Sequence, residues 1–132
     1  MKKLLLIFTL LFSTLMFSTP SYGEWTEVSS SGNGATTFYV DFERIRKHGG
    51  YVYYWRLTNY LKPTGLGHLS AKVYTQGDCK LFRFKRLSSS FHKEPMGGGT
   101  GQNVEITGKY KDWNYPPPNS SQEEILKRVC SQ

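Results

Sequence analysis

Apolar and polar residues alternate with a period of two through the middle of this chain. The longest such run, Tyr51 to Leu61, carries aromatic or aliphatic side chains at both sets of alternate positions. Alternation predicts β-strands, and a strand with apolar residues on both faces is expected at the centre of a sheet. Shorter runs of the same kind predict further strands at residues 25–28, 36–41, 69–75, 80–91 and 104–110.

Turn-forming residues separate the predicted strands. Glycine and proline provide the positive or fixed φ angles that tight turns need. Turns are therefore predicted at residues 29–34, 42–47, 62–65 and 76–78, and a flexible glycine-rich loop at Met96 to Gly101. Because the connections are short, we expect neighbouring strands to pair antiparallel.

The last part of the chain predicts a helix. Three prolines within Tyr115 to Asn119 exclude helical structure there, and Ser120 then supplies a helix N-cap with Glu123 three residues later. The apolar residues on one side of that helix are Ile125, Leu126, Val129 and Cys130. The pattern as a whole predicts an α+β domain, with an antiparallel sheet of about six strands and one C-terminal helix packed on it.

The N-terminal residues have the pattern of a secretory signal peptide. Lys2 and Lys3 precede an apolar run from Leu4 to Phe17, which is shorter than the roughly 20 residues of a spanning helix. Small residues follow, and cleavage is expected after Gly23. The expected organisation is a signal peptide over residues 1–23 and one domain over 24–132. No cysteine lies near the cut, so we expect an exported protein, periplasmic, secreted or at the cell surface, that is not a lipoprotein and keeps no transmembrane anchor.

Cys79 and Cys130 are the two cysteines of the chain. In an oxidising compartment, two cysteines most simply form one disulfide. A redox or metal-binding pair is the alternative, but the sequence lacks the C-x-x-C spacing typical of such sites. We therefore expect a structural Cys79–Cys130 bond that clamps the last turn of the helix to the sheet.

The charge balance is moderately basic. Removing Lys2 and Lys3 from the 17 basic residues leaves 15 against 10 acidic ones. This excess favours anionic surfaces such as acidic proteins or glycans, and ordinary solubility charge explains it equally well. In an exported protein it does not indicate nucleic acid binding.

Candidate catalytic groups are sparse. His48, His68 and His92 lack the close spacing of metal ligands, and each neighbours a turn, so we expect exposed loop histidines; convergence of the three in space is the alternative. Asp41 is expected to cap the following turn rather than to pair with Glu43 in catalysis. Neither an enzyme nor a cofactor is predicted. The aromatic residues around Trp55 suit either a sugar-stacking platform or, more often, a core.

Several short strings, taken in order, resemble the surface-adhesin protein E family of Gram-negative bacteria. They span nearly all of the chain after residue 24 and include both cysteines. The strings are Phe38 to Asp41, Trp55 to Tyr60, Ser70 to Tyr74, Asp78-Cys79, Arg86 to Phe91, Met96-Gly97, Trp113 to Pro116, Asn119-Ser120 and Val129-Cys130. The resemblance implies a six-stranded antiparallel sheet with a disulfide-tethered C-terminal helix, which agrees with the pattern.

The resemblance also implies a function. One adhesin of the family binds host matrix and serum proteins and forms dimers, and the stretch around its first cysteine is linked to binding. The resemblance therefore implies such partners and a homodimer for this chain. Basic residues alternate with aromatic ones in that stretch, which suits an acidic protein or glycan partner. The residues we expect to bind are Lys72, Tyr74, Lys80, Arg83, Lys85 and Arg86.

The strand period splits that set, because Arg83 and Lys85 share one face while Arg86 opposes them. Arg83 and Lys85 are expected to be exposed, so that replacing them costs little stability. The sequence thus predicts a non-enzymatic exported binding protein with a basic rim. A periplasmic structural or inhibitor protein acting on another envelope protein is the alternative.

We expect cleavage to release a mature chain that begins Glu24-Trp25-Thr26, because Gly23 ends the small-residue motif. N-terminal sequencing of the exported protein checks this. A mature protein that still begins with Met1 would show that the apolar segment stays attached.

Overall fold

The computed structural model describes residues 24–132. The expected signal peptide and its cleavage site at Gly23 lie outside the described residues and remain predictions. Within residues 24–132 the regular elements are β1 Thr26–Ser31, β2 Thr36–Val40, β3 Arg46–His48, β4 Tyr51–Tyr60, β5 Ser70–Asp78, β6 Arg83–His92, β7 Gln102–Val104 and the helix α1 Ser121–Cys130. Short 3-10 helices occupy Phe42–Arg44, Pro95–Gly97 and Gly108–Lys111.

One antiparallel sheet of seven strands contains all of these strands, in the order β1-β2-β4-β5-β6-β7. β2 pairs with the second half of β4 and β3 with the first half, so both lie along one edge of β4. β5 pairs along the other edge. The prediction of an antiparallel α+β domain with a central strand at 51–61 is therefore confirmed, with β3 as an additional strand.

The two faces of the sheet have different surroundings. The helix face carries Val52, Tyr54, Arg56 and Thr58 of β4. Val52 and Tyr54 form one core cluster with Phe38 and Val40 of β2 and with Ile125 and Val129 of α1. The outer face carries the alternate residues of the same strands, which are Tyr51, Tyr53, Trp55 and Leu57 on β4 and Lys72, Tyr74 and Gln76 on β5. The names helix face and outer face are used below in this sense.

Capping and burial together fix α1. The Ser120 hydroxyl accepts a hydrogen bond from the Glu123 amide at 3.2 Å, as the capping pattern predicted. Ile125, Leu126 and Val129 are buried against the sheet. Removing each such side chain from water contributes about 1.5–3 kcal/mol, which a helix of this length needs in order to persist.

The disulfide prediction is confirmed. Cys79 immediately follows β5 and Cys130 ends α1, and their Cα atoms lie 5.7 Å apart across the Cys79–Cys130 bond. The bond holds the last turn of the helix against the end of a central strand. Sequence-distant parts of the domain are thereby fixed to each other covalently.

Several predicted boundaries are wrong. Residues 76–78 continue β5, and the turn lies at residues 79–82 instead. The predicted strand at 104–110 is β7 for its first residue only, and Gly108–Lys111 forms a 3-10 helix. β1 extends to Ser31, beyond the predicted 25–28, and the predicted turn at 42–47 contains the start of β3.

Gly77 explains the misplaced turn. A Cβ atom on this residue would approach Val52 Cγ2 to 2.8 Å and Leu126 Cδ1 to 3.1 Å. The glycine therefore lets the helix pack closely on the strand. Close packing is a reason for a glycine within a strand, besides the turn that the sequence suggested.

Replacing both cysteines by serine should lower the free energy of unfolding by about 4 kcal/mol, because the bond closes a loop with a sequence separation of 51. Urea unfolding followed by tryptophan fluorescence measures this. The parent protein in reductant is the control and should match the variant. A change below about 1 kcal/mol would mean that the unfolded chain gains little freedom when the bond is absent.

Candidate functional site

The six residues expected to bind do not form one surface. The register pairs Lys85 with Gln76 and Arg86 with Thr75, which places the two basic side chains on opposite faces. Lys72, Tyr74, Arg83 and Lys85 belong to the outer face, Arg86 to the helix face and Lys80 to the exposed turn after Cys79. The predicted split between Arg86 and the Arg83–Lys85 pair is confirmed, whereas the binding role of these residues stays a prediction.

Aromatic side chains form a row on the outer face. The Tyr74 ring lies 6.3 Å from the Tyr53 ring and 4.9 Å from the Trp55 ring, measured between centroids. All three side chains are partly exposed. The expectation that the aromatic stripe around Trp55 is core therefore holds for Tyr54 on the helix face and not for this row.

Trp113 extends the aromatic surface toward the disulfide end. Backbone hydrogen bonds between Phe84 and Asn114, at 2.8 and 2.9 Å, fix the segment beside β6. Trp113 then stacks on Tyr51 at 5.6 Å, and the Arg83 guanidinium lies 4.4 Å from the Trp113 ring centroid. The Lys85 ammonium lies 5.5 Å from the same ring, so that cations and aromatic rings alternate here.

Arg83 is held by a buried carboxylate. Asp78, only 5% exposed, accepts hydrogen bonds from the Lys80 and Leu81 amides at 3.1 Å and from Arg83 Nε at 2.9 Å. The Leu81 amide, with Arg83 and Lys80, holds the pKa of the Asp78 carboxyl below its usual value. Arg83 is thus not the freely exposed residue that was expected, because its side chain is only 22% exposed and neutralises the residue that shapes the disulfide turn.

A groove runs along the outer face beside Trp55. It has a volume of about 430 Å³, with Trp55 and Trp25 on its walls and Arg44 and Lys72 at its sides. The loop at Pro95–Gly98 forms the remaining wall. Hydrogen bonds fix that loop to the sheet, because Ser70 Oγ donates to the Glu94 carbonyl and accepts from the Gly97 amide at 2.8 Å.

Two arginines that the sequence did not single out flank this surface. Arg46 on β3 lies opposite Tyr53 in the register and is exposed. Arg44 precedes it and contacts the buried Asp41 carboxylate at 3.4 Å. Because β3 was predicted as a turn, neither arginine could be assigned to the outer face from the sequence. A short alternation of basic residues before Gly49-Gly50 was the only signal.

The histidine prediction is partly wrong. His48 is exposed, but His68 and His92 are 8% and 3% exposed. His92 Nε2 lies 2.9 Å from Ser90 Oγ, and burial lowers the pKa of this imidazole. Among the described residues, no group of three or more His, Cys, Asp or Glu side chains is arranged to hold a metal.

The capping role expected for Asp41 is confirmed, since its carboxylate accepts from the Glu43 amide at 3.2 Å. Asp41 is buried beside the 3-10 helix, and Glu43 is exposed. The two carboxylates thus serve different purposes, and the geometry gives them no common cleft.

Comparison with family models decides the relationship. The model described as Surface-adhesin protein E matches residues 25–131. The chain belongs to this family. Family membership makes it a surface-adhesin-type binding protein, for which a non-enzymatic role and an exported or surface location are implied. Within residues 24–132, no helix has the length and apolar character required to cross a bilayer.

Solved structures agree on the fold. Crystal form II of Haemophilus influenzae protein E is 16% identical, with a TM-score of 0.61 over 87% of this chain and 94% of that chain. Protein E from non-typeable Haemophilus influenzae is 14% identical, with a TM-score of 0.56 over 87% of this chain and 82% of that chain. No curated protein matches the chain significantly. The resemblance derived from the sequence strings is thus confirmed.

Asp78→Asn should lower the melting temperature at pH 7, because the amide cannot neutralise Arg83. The folded pKa of Asp78 lies below its unfolded value of about 4, so its carboxylate stabilises the fold above that pH and the stabilisation disappears as the pH falls through the folded pKa. The difference in melting temperature should therefore shrink at low pH.

Thermal unfolding followed by circular dichroism between pH 3 and pH 7 measures this difference. Asp112→Asn, at an exposed position, is the matched control and should unfold like the parent. Equal melting temperatures of parent and Asp78→Asn at pH 7 would contradict the stabilising role of the pair.

Proposed function

We propose that this protein is an exported, non-enzymatic binding domain whose outer face holds acidic protein or glycan partners. The row formed by Tyr53, Tyr74 and Trp55 is the observation that supports this most directly. Aromatic side chains on an exposed sheet face offer a rigid contact surface at a low entropic cost. The family suggests host partners in general, for which host matrix and serum proteins are the candidates, and the basic residues of this face suggest acidic glycans as well.

The charges around the aromatic row favour an anionic partner. Lys72, Lys85 and Arg46 lie on this face without a carboxylate partner among the described ion pairs. Two acids near this face are already engaged, because Asp41 contacts Arg44 and Asp78 contacts Arg83. The exposed Glu43 lies beside Arg46 and Trp55, so among the described residues one free carboxylate stands against the three cations. Positive potential therefore remains over the rings, and an anionic partner would be attracted to them.

The proposed surface keeps only part of the six residues that the sequence led us to expect. Lys72, Tyr74 and Lys85 stay in the proposed surface, and Arg46 joins them. Arg83 lies over the Trp113 ring at the edge of this surface, and it also neutralises Asp78. Lys80 borders the surface from the turn, and Arg86 points to the other face.

Reversing two charges of the outer face should weaken binding of an acidic glycan. We expect Arg46→Glu combined with Lys85→Glu to raise the Kd for heparin about tenfold, since each surface ion pair contributes up to about 1 kcal/mol. The loss should come mainly from slower association and should shrink at high salt. Surface plasmon resonance at low and physiological salt measures both.

The matched control is Lys62→Glu combined with Lys93→Glu, which changes the net charge equally at the opposite end of the sheet, where both residues are exposed. The control should lose much less affinity than the outer-face variant. An equal loss in both variants would attribute binding to net charge alone, and a folded outer-face variant that binds like the parent would exclude this face.

A further inference from the structure

The helix face contains a buried arginine without a partner. Arg56, on the central strand β4, is 8% exposed. Its Nε atom is buried and has no hydrogen-bond partner, and none of the ion pairs found among residues 24–132 includes this guanidinium. Leaving a buried charged group unpaired is costly, so its presence needs a compensating interaction.

Arg56 lines a cleft that is separate from the outer face. The cleft has a volume of about 440 Å³ and lies between the helix face and the segment that follows β7. Arg86 from β6 lines the same cleft. Its guanidinium is positioned by two rings, with centroid distances of 5.1 Å to Phe84 and 5.2 Å to Tyr110.

The two arginines leave the cleft with unbalanced positive charge. Burial, followed by the proximity of Arg86, lowers the pKa of Arg56 to about 10, so the guanidinium still carries its proton at neutral pH. Glu105 is the one acidic residue among the lining residues, and its side chain is exposed and forms no ion pair among the described residues. Repulsion between Arg56 and Arg86 therefore persists until an anion enters.

The remaining walls define what kind of anion fits. Hydroxyl groups line the cleft beside the arginines, and five apolar side chains line it as well. The hydroxyl groups belong to Thr58, Tyr60, Ser89, Thr107 and Tyr110. The apolar residues are Ala71, Val73, Phe91, Val104 and Ile106. A cleft of this size, with a few polar groups and apolar walls, is typical of small-molecule sites.

We propose that this cleft binds a small organic carboxylate with an apolar body. Arg56 and Arg86 hold the carboxylate, since the planar guanidinium offers paired donors that match its two oxygens. The apolar body lies against Val73, Phe91 and Ile106. The ligand supplies the counter-charge that the described residues do not.

A contrast within the same sheet supports this assignment. Arg83 is fixed by a charged hydrogen bond to Asp78 and serves the fold. Arg56 is more deeply buried than Arg83 but has no such partner. A buried arginine that served only the fold would be expected to have its donors satisfied.

Isothermal titration calorimetry of the full mature chain with octanoate tests the proposal. Octanol is the control ligand without a charge, and inorganic phosphate is the control ligand without an apolar body. We expect octanoate to bind, and octanol and phosphate each to bind at least about tenfold more weakly. Arg56→Gln and Arg86→Gln should each weaken octanoate binding about tenfold or more, because each removes a charged hydrogen-bond donor. Lys93→Gln, which removes one exposed charge elsewhere, should bind like the parent.

Circular dichroism reports whether each variant folds, and if Arg56→Gln does not fold, the half-buried Arg86 decides the outcome. Absence of octanoate binding to the parent would overturn the proposal, as would unchanged binding to Arg86→Gln. Phosphate or octanol binding as tight as octanoate would also overturn it. Glu105→Gln is the last control. If it clearly lowers the melting temperature of the ligand-free protein, Glu105 is the internal partner of the arginines and no ligand is required.

Discussion

Close packing of the C-terminal helix on the sheet is the constraint on which the rest of this domain depends. The helix has only ten residues, Ser121–Cys130, and it persists because Ile125, Leu126 and Val129 are buried. Ile125 and Val129 pack in one cluster with residues of β2 and β4, and Leu126 lies beside β5. Gly77 permits the close approach, since any side chain there would meet Val52 and Leu126. The Cys79–Cys130 bond then fixes the end of the helix beside β5, the strand that contains Gly77.

This packing gives the two faces of one sheet different roles. The helix covers part of the helix face, so the apolar residues there are buried within the domain itself. The outer face keeps Tyr53, Trp55 and Tyr74 partly exposed, because the loop at Pro95–Gly98 and Trp113 cover only its two ends. The helix face also extends beyond the helix, and Arg56 lies in that region under the segment after β7. Surfaces of different chemistry therefore occupy opposite sides of a sheet only one layer thick.

The sequence predicted those parts of the fold that rest on local patterns. Alternation identified β4 as the central strand, and the Ser120–Glu123 pair identified the start of the helix. It failed where long-range packing determines the role of a residue. Gly77 has the local signature of a turn, but its reason is a helix that lies about 50 residues further along the chain. Likewise, β3 is only three residues long, and it forms because β4 offers it an edge.

The same distinction applies to the candidate sites. Strand period correctly separated Arg86 from Arg83 and Lys85, because facing is a local property. The partners of these residues could not be predicted, since Trp113 reaches Arg83 through the pairing of Asn114 with Phe84. Arg56 was visible only as an alternate position of β4. Its burial without a partner becomes apparent once the surrounding strands and the segment after β7 are in place.

The origin of the core cluster has a consequence for biosynthesis. Phe38, Val40, Val52 and Tyr54 come from the first half of the domain, whereas Ile125 and Val129 come from the last helix. A nascent chain that has completed all seven strands therefore still exposes an apolar sheet face until the helix has left the ribosome or the export channel. The core cannot be completed before that moment, and for that interval the unfinished sheet is a substrate for chaperones.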